Sequence, residues 1–196
     1  MLRRNGVPIT FKLFLNNKII HPYSHCVWDE SRTVTLPDLG EIPAVITFDY
    51  NLANRPYCTN CMNWVSTDDS DETECPICGS EENLTHRRRR VHGWIGIQRY
   101  LDKTEFGFDL IRNGRKIEIN NKDLFVWQGE DGEESEYPID DQRGRGRIVG
   151  EIHIDHCRVS YAKDRFDRTD QSWNEMVRLI RGEGPLRPEK AKALGF

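Results

Sequence analysis

Apolar and polar residues alternate with a period of two over much of this chain, the mark of strands whose two faces meet different surroundings. Ile9, Phe11, Leu13 and Leu15 fall on one face of such a stretch, with Thr10, Lys12 and Phe14 on the other. Asn16-Asn17 then supplies a two-residue turn before Lys18-Ile19-Ile20, which completes the pattern of an antiparallel hairpin. Val27-Trp28 and Thr33-Val34-Thr35-Leu36 read as further short strands, closed by Pro37-Asp38-Leu39-Gly40. Ala44–Tyr50 is a stronger strand, because β-branched and aromatic side chains fit a pleated surface. The first fifty residues are therefore expected to form a sheet without a helix.

The strand pattern resumes at Trp94–Tyr100 and Phe106–Ile111, and Asn113-Gly114 marks a tight turn into Lys116–Ile119. Leu124–Trp127 is a short apolar run, and Arg143-Gly144-Arg145-Gly146-Arg147 feeds a strand over Ile148–Ile154. Gly144, Gly146 and Gly150 do not make a dinucleotide fingerprint, since no helix N-terminus follows to receive a phosphate. The period changes once. Trp173, Met176, Val177 and Ile180 fall at i, i+3, i+4 and i+7, one apolar stripe of a helix. Asp170 is placed to cap its start, Arg178 and Arg181 suit the negative end of its dipole, and Gly182 suits the position after it. The expected fold class is α+β, a mixed or largely antiparallel sheet with this C-terminal helix packed on it.

Two Cys-x-x-Cys pairs, Cys58/Cys61 and Cys75/Cys78, interrupt the strand pattern with thirteen residues between them. Each pair is short enough to curl around one ion, and four thiolates close a tetrahedron around Zn²⁺. Pro76 fixes the second turn, and Gly79 allows a left-handed backbone behind the last ligand. Two disulfides or four buried thiols are the competing readings; the spacing favours a structural zinc ribbon. Strand-like chain on both sides marks residues 52–90 as inserted into a larger sheet, with Tyr57 and Trp64 covering the ribbon's small core. His21, His25 and Cys26 also cluster, but with Pro22 among them and no second pair nearby they read as a loop with incidental histidines.

Composition narrows the function classes. The 196 residues are 37% hydrophobic and 31% charged, enough for one ordinary domain with a small insert. No apolar run approaches the length of a membrane span, and the N-terminus lacks the apolar region of a signal peptide. Cysteines spaced as ligands, with only Cys26 and Cys157 left over, fit a reducing, cytoplasmic setting. A net charge of −4 argues against wholly electrostatic binding to nucleic acid, yet the charge is blocked. Residues 68–82 hold seven acids and 130–141 hold seven more, whereas 142–196 carry a net +4. Such runs are usually solvated loops. The run Arg87-Arg88-Arg89-Arg90, beside the ribbon, is the one suited to contact phosphates. No Ser/His/Asp triad is evident, and His153, Asp155, His156 and Cys157, read as strand, alternate between faces rather than converging.

The stretch Gly150-Glu151-Ile152-His153-Ile154-Asp155, followed by Lys163-Asp164-Arg165-Phe166, Trp173 and Leu179, resembles the end of the transducer domain in GHKL-type ATPases. The likeness is to MORC-like and MutL-like members and their bacterial relatives, where a strand leads into a Lys-x-x-Phe loop and then a helix. Phe106–Ile111 with Arg112-Asn113-Gly114-Arg115 is similar to the preceding strand and turn of that domain. The resemblance covers most of 7–51 and 92–183. It implies a discontinuous transducer-like domain over 1–51 and 91–183, with the ribbon inserted at 52–90 and a tail at 184–196. It also implies that Lys163 reaches the γ-phosphate of ATP bound by a neighbouring domain, and that nucleotide state governs closure of a dimer. By its residues alone, Lys163 is a surface lysine on a polar loop. The ATP-binding domain of that family, with its acidic base, magnesium-binding Asn and Asp-x-Gly-x-Gly element, has no counterpart in this sequence. The chain is therefore expected to be a fragment, a product acting in trans, or a stand-alone derivative, binding ATP/Mg²⁺ only together with an ATP-binding domain and not hydrolysing it alone. The alternative is a non-enzymatic zinc-ribbon protein that binds nucleic acid through Arg87, Arg88, Arg89 and Arg90.

Overall fold

The computed structural model describes residues 3–4, 7–8, 12–21, 23–37, 40–65, 74–129, 132–139 and 141–195. Ile9–Phe11 of the expected first strand and the acidic stretch 66–73 lie outside the described residues. Three separate hairpins come first: β1 (Arg3–Arg4) with β2 (Val7–Pro8), β3 (Leu13–Leu15) with β4 (Lys18–Ile20), and β5 (Thr33–Leu36) with β6 (Gly40–Pro43). Asn16 and Asn17 take φ of 49° and 61°, as the tight turn between β3 and β4 requires. Among the described residues these hairpins do not join the main sheet, which differs from the expected single sheet. Leu13, Phe14 and Leu15 are all more than half exposed, so alternation there does not separate an inside from an outside.

The main sheet begins at β7 (Val45–Cys58), which pairs antiparallel with β9 (Leu84–Asp102) from Val45/Gly96 out to Cys58/Leu84. With β8 (Asn63–Trp64), β10 (Gly107–Arg112), β11 (Arg115–Asn121) and β14 (Gly146–His153) they form six strands in the order β11-β10-β14-β9-β7-β8. Only β10 and β14 run parallel, and the sheet is mixed. Parallel neighbours need a crossover; here it contains β11, a 3-10 turn at Asp123–Phe125, and the hairpin of β12 (Val126–Gly129) with β13 (Gly132–Ser135). Asn113 and Gly114 turn the chain from β10 into β11 with φ of 50° and 75°. β14 and β9 approach so closely that a Cβ on Gly93 would lie 1.9 Å from the Glu151 carbonyl oxygen. A side chain there would part the strands.

One sheet face carries Val91, Phe108, Leu110 and Ile152 into the core, and α1 (Gln171–Arg181) closes it with Trp173 and Met176. Val177 and Ile180 complete the stripe half-buried, and Gly182 ends the helix with φ of 87°. Asp170 stands at the N-cap position, although its side chain makes no capping hydrogen bond. Among the described residues no helix is long and apolar enough to cross a membrane.

Within the acidic block, Glu134 and Glu136 are not simply part of a solvated loop. Glu136 is buried against Arg181 and accepts a hydrogen bond from the Leu186 amide at 3.0 Å. Glu134 pairs with Lys190 of a further short helix, α2 (Pro188–Ala193), where a tail was expected, and the same ammonium lies 4.6 Å above the Trp127 ring. Charges that look free along the chain thus bind its C-terminal segment to the body. Glu136→Ala, which strands Arg181 in the interior, is expected to cost about 3–5 kcal/mol, read as a lower urea midpoint.

Candidate metal centre and its surroundings

β7 ends at Cys58, and the Cys58–Cys61 turn leads straight into β8. Cys75 and Cys78 lie on a second turn closed by the Gly79 amide donating to the Cys75 carbonyl at 2.8 Å, with Gly79 at φ 68°. Both turns point their sulfurs at one centre. Sγ of Cys58 lies 3.7 Å from that of Cys78, and Sγ of Cys61 lies 3.8 Å from that of Cys75. A disulfide needs about 2.05 Å, so none is formed. Four sulfurs placed about 2.3 Å from a central ion stand about 3.8 Å apart along the tetrahedron's edges. The cluster has that size, and the four cysteines could hold a metal ion. The Asn60 amide, 3.6 Å from Cys78 Sγ, favours its thiolate and helps pull this thiol down to about 7, while burial pushes Cys75 up to about 11. Val65 and Leu84 pack around Cys58 and Cys75 as a second, small core.

The ladder of β7 and β9 passes positions 52 and 90 as continuous strands, with one register shift between Leu52 and Arg55. The cysteine cluster therefore sits at the far end of two strands of the main sheet. It is also tied sideways. Trp64, edge-on to Tyr57 at 5.0 Å, donates from Nε1 to the His156 carbonyl at 3.1 Å. Arg55 meets Glu175 of α1 at 2.7 Å, and Arg89 meets the same carboxylate from 2% exposure.

The arginine run, expected as one patch, is divided by the strand it lies on. Arg87 covers the Tyr57 ring at 4.0 Å, Arg88 donates to Asn51 at 2.7 Å, and Arg90 donates to Asp49 at 2.6 Å. Arg89 turns inward to Glu175. His153 stacks on His92 at 4.6 Å, while Asp155, His156 and Cys157 lie past the strand end in a turn. Burial drives His156 down to about 4 and the Cys157 thiol far up, which disfavours a thiolate at this neighbouring pair.

Lys163 sits on the Ser160–Phe166 loop between β14 and α1. Val159 bridges to Phe166, the Ser160 amide donates to the Arg165 carbonyl at 2.8 Å, and Ser160 Oγ bonds Asp164 at 2.6 Å. Phe166 is buried and stacks on Trp173 at 5.9 Å. Lys163 itself is exposed, at φ 57°, with no ion-pair partner among the described residues. An open cleft of about 970 Å³ adjoins this loop, lined by Ser160, Arg165, Phe166, Arg168 and Trp173 with the acids Glu118 and Asp123. Glu118 and Asp123 hold Arg168 over the Trp173 ring, 4.2 Å from its centre.

Asp109 is not marked out by the strand pattern around it. It is 2% exposed on β10, with Lys116, Glu151 and His25 around it. Burial alone would raise its carboxyl, but the Lys116 ammonium and the Asn120 amide oppose that and hold it below the usual carboxylate range. An Asp in the middle of a strand was the available signal, since carboxylates are rare there without a partner. His25 is likewise not incidental, being packed at 5.5 Å against Trp94.

No protein-family model, curated protein or solved structure matches the chain. The fold and the cysteine site define an α+β protein, strand-rich around a mixed sheet, with a four-sulfur cluster able to take a metal. Removing a bound metal with a chelator is expected to expose the amides of 58–65 and 74–84 to hydrogen exchange. Those of Gly107–Ile111 and Val149–Ile152 should stay protected. A single cooperative loss across the whole chain would contradict this division.

Proposed function

We propose that this chain is the transducer portion of a GHKL-type, MORC-like ATPase, carrying a structural Zn²⁺ at Cys58, Cys61, Cys75 and Cys78. Lys163 then enters the site of a separate ATP-binding domain and contacts the γ-phosphate. The observation behind this reading is the Lys163 loop. Its ends are pinned by Ser160 and by buried Phe166, and a long cationic side chain stands at its exposed turn in left-handed backbone. That backbone costs a lysine about 1–2 kcal/mol relative to glycine, so a residue with no side chain would suit the turn better. An ammonium held there meets the charge that develops on a transferring phosphoryl group, and its contact is lost on hydrolysis. Closure around ATP would in this way be felt by α1, which follows the loop directly.

Zinc suits the four sulfurs because it takes a tetrahedral thiolate set without redox chemistry. The reading as a nucleic-acid binder has less behind it, since Arg89 is buried against Glu175 and Arg90 is engaged with Asp49. The deciding experiment mixes the chain with a GHKL ATP-binding domain that lacks its own transducer. ATPase rate should rise on mixing, and Lys163→Ala should remove about 10²–10³-fold of the rate, the usual loss of one preorganised transition-state contact. Equal rates for the two proteins would sink the role of Lys163.

A further inference from the structure

The sheet face opposite the helix holds a second convergence of ligand-type side chains, remote in chemistry from the sulfurs. Asp109 on β10 and Glu151 on β14 are parallel register partners and so stand side by side on one face. His25 comes from the segment that bridges β9 at Val27/Gln98 and lies over them. One donor atom each from His25, Asp109 and Glu151 all lie within 4.8 Å of one another. The His25 side chain is only 7% exposed, and neither of its ring nitrogens has a hydrogen-bond partner among the described residues. Its Nε2 lies 3.7 Å from Asp109 Oδ2, too far for a hydrogen bond. Buried polar groups are rarely left so, because the lost hydration is not returned.

The two carboxylates are already oriented from behind. The Asn120 amide donates to Asp109 Oδ1 at 3.1 Å, and Trp94 Nε1 donates to Glu151 Oε2 at 3.4 Å. Asp109 Oδ2 and Glu151 Oε1 are thereby left facing the shared centre, as outer hydrogen bonds orient the ligands of metal sites. The centre already attracts a cation. Lys116 Nζ lies 2.5 Å from the first of these oxygens and 2.8 Å from the second, on a side chain 37% exposed that can swing to solvent. The ammonium serves the carboxylates and leaves His25 unserved.

We propose that His25 Nε2, Asp109 Oδ2 and Glu151 Oε1 form a divalent transition-metal site that is filled when Lys116 moves outward. One imidazole with two carboxylates suits Zn²⁺ or a similar borderline ion, whereas Ca²⁺ and Mg²⁺ prefer all-oxygen sets. Such an ion would fasten the segment around His25 to β10 and β14.

The test is a Zn²⁺ titration of protein whose cysteine site is already full, followed by calorimetry and by metal analysis after equilibrium dialysis. The wild type should bind one further ion per chain. His25→Ala should lose that ion while keeping the cysteine-bound one, and Lys116→Met should bind it more tightly than the wild type does. The proposal is overturned if the wild type takes up no further ion: uptake by Lys116→Met alone would make the ammonium the permanent occupant, and uptake by neither protein would leave no metal site. It is equally overturned if His25→Ala still takes up the further ion, which would place that ion elsewhere. Should Lys116→Met fail to fold, the wild type against His25→Ala decides alone.

Discussion

The antiparallel ladder between Val45–Cys58 and Leu84–Asp102 is the interaction on which everything else rests. At one end it lies inside a six-stranded sheet and contributes Val91 to the core; at the other it carries Cys58 and Leu84 into the sulfur cluster. A two-stranded ribbon is marginal by itself in water. Its outer half therefore needs help, and three kinds are present. Trp64 bonds the His156 carbonyl, Arg55 and Arg89 grip Glu175, and four sulfurs surround a space of the size a metal requires. The ribbon's strands at 52–58 and 84–90 are thus continuous with the sheet in their backbone and braced on the helix by side chains.

What could be read from the sequence was local. Asn16-Asn17 and Asn113-Gly114 are turns because few residues accept φ > 0, and the structure has both hairpins. The helix follows from a period of 3.6 and ends at Gly182, and the two cysteine pairs are brought together as their spacing implies. What stayed hidden depends on partners far along the chain. Arg89 looks like the third of four equal arginines until Glu175, eighty-six residues on, takes it out of the run. Glu136 looks like one acid in a loop until Arg181 and the Leu186 amide enclose it. Asp109 and His25 are eighty-four positions apart in sequence and share a site only through the fold. The alternation at Leu13–Leu15 misled in the opposite sense, since a lone hairpin has no buried face to which the pattern could refer.

Helix α1 is where these threads meet. Trp173 faces Phe166, the buried anchor of the Lys163 loop, while Glu175 faces the arginines of the outer ladder. Two positions along a helix are about 200° apart around its axis, so the helix is held from nearly opposite sides. The sulfur-bearing end of the ladder and the lysine loop do not need to touch in order to share this support. Because Trp173 and Glu175 lie two residues apart on one helix, the packing on Phe166 and the Glu175 ion pairs fix the same element. The loop that carries Lys163 and the ribbon that gathers the sulfurs are thus both packed on α1, the first through Phe166 and the second through Arg55 and Arg89.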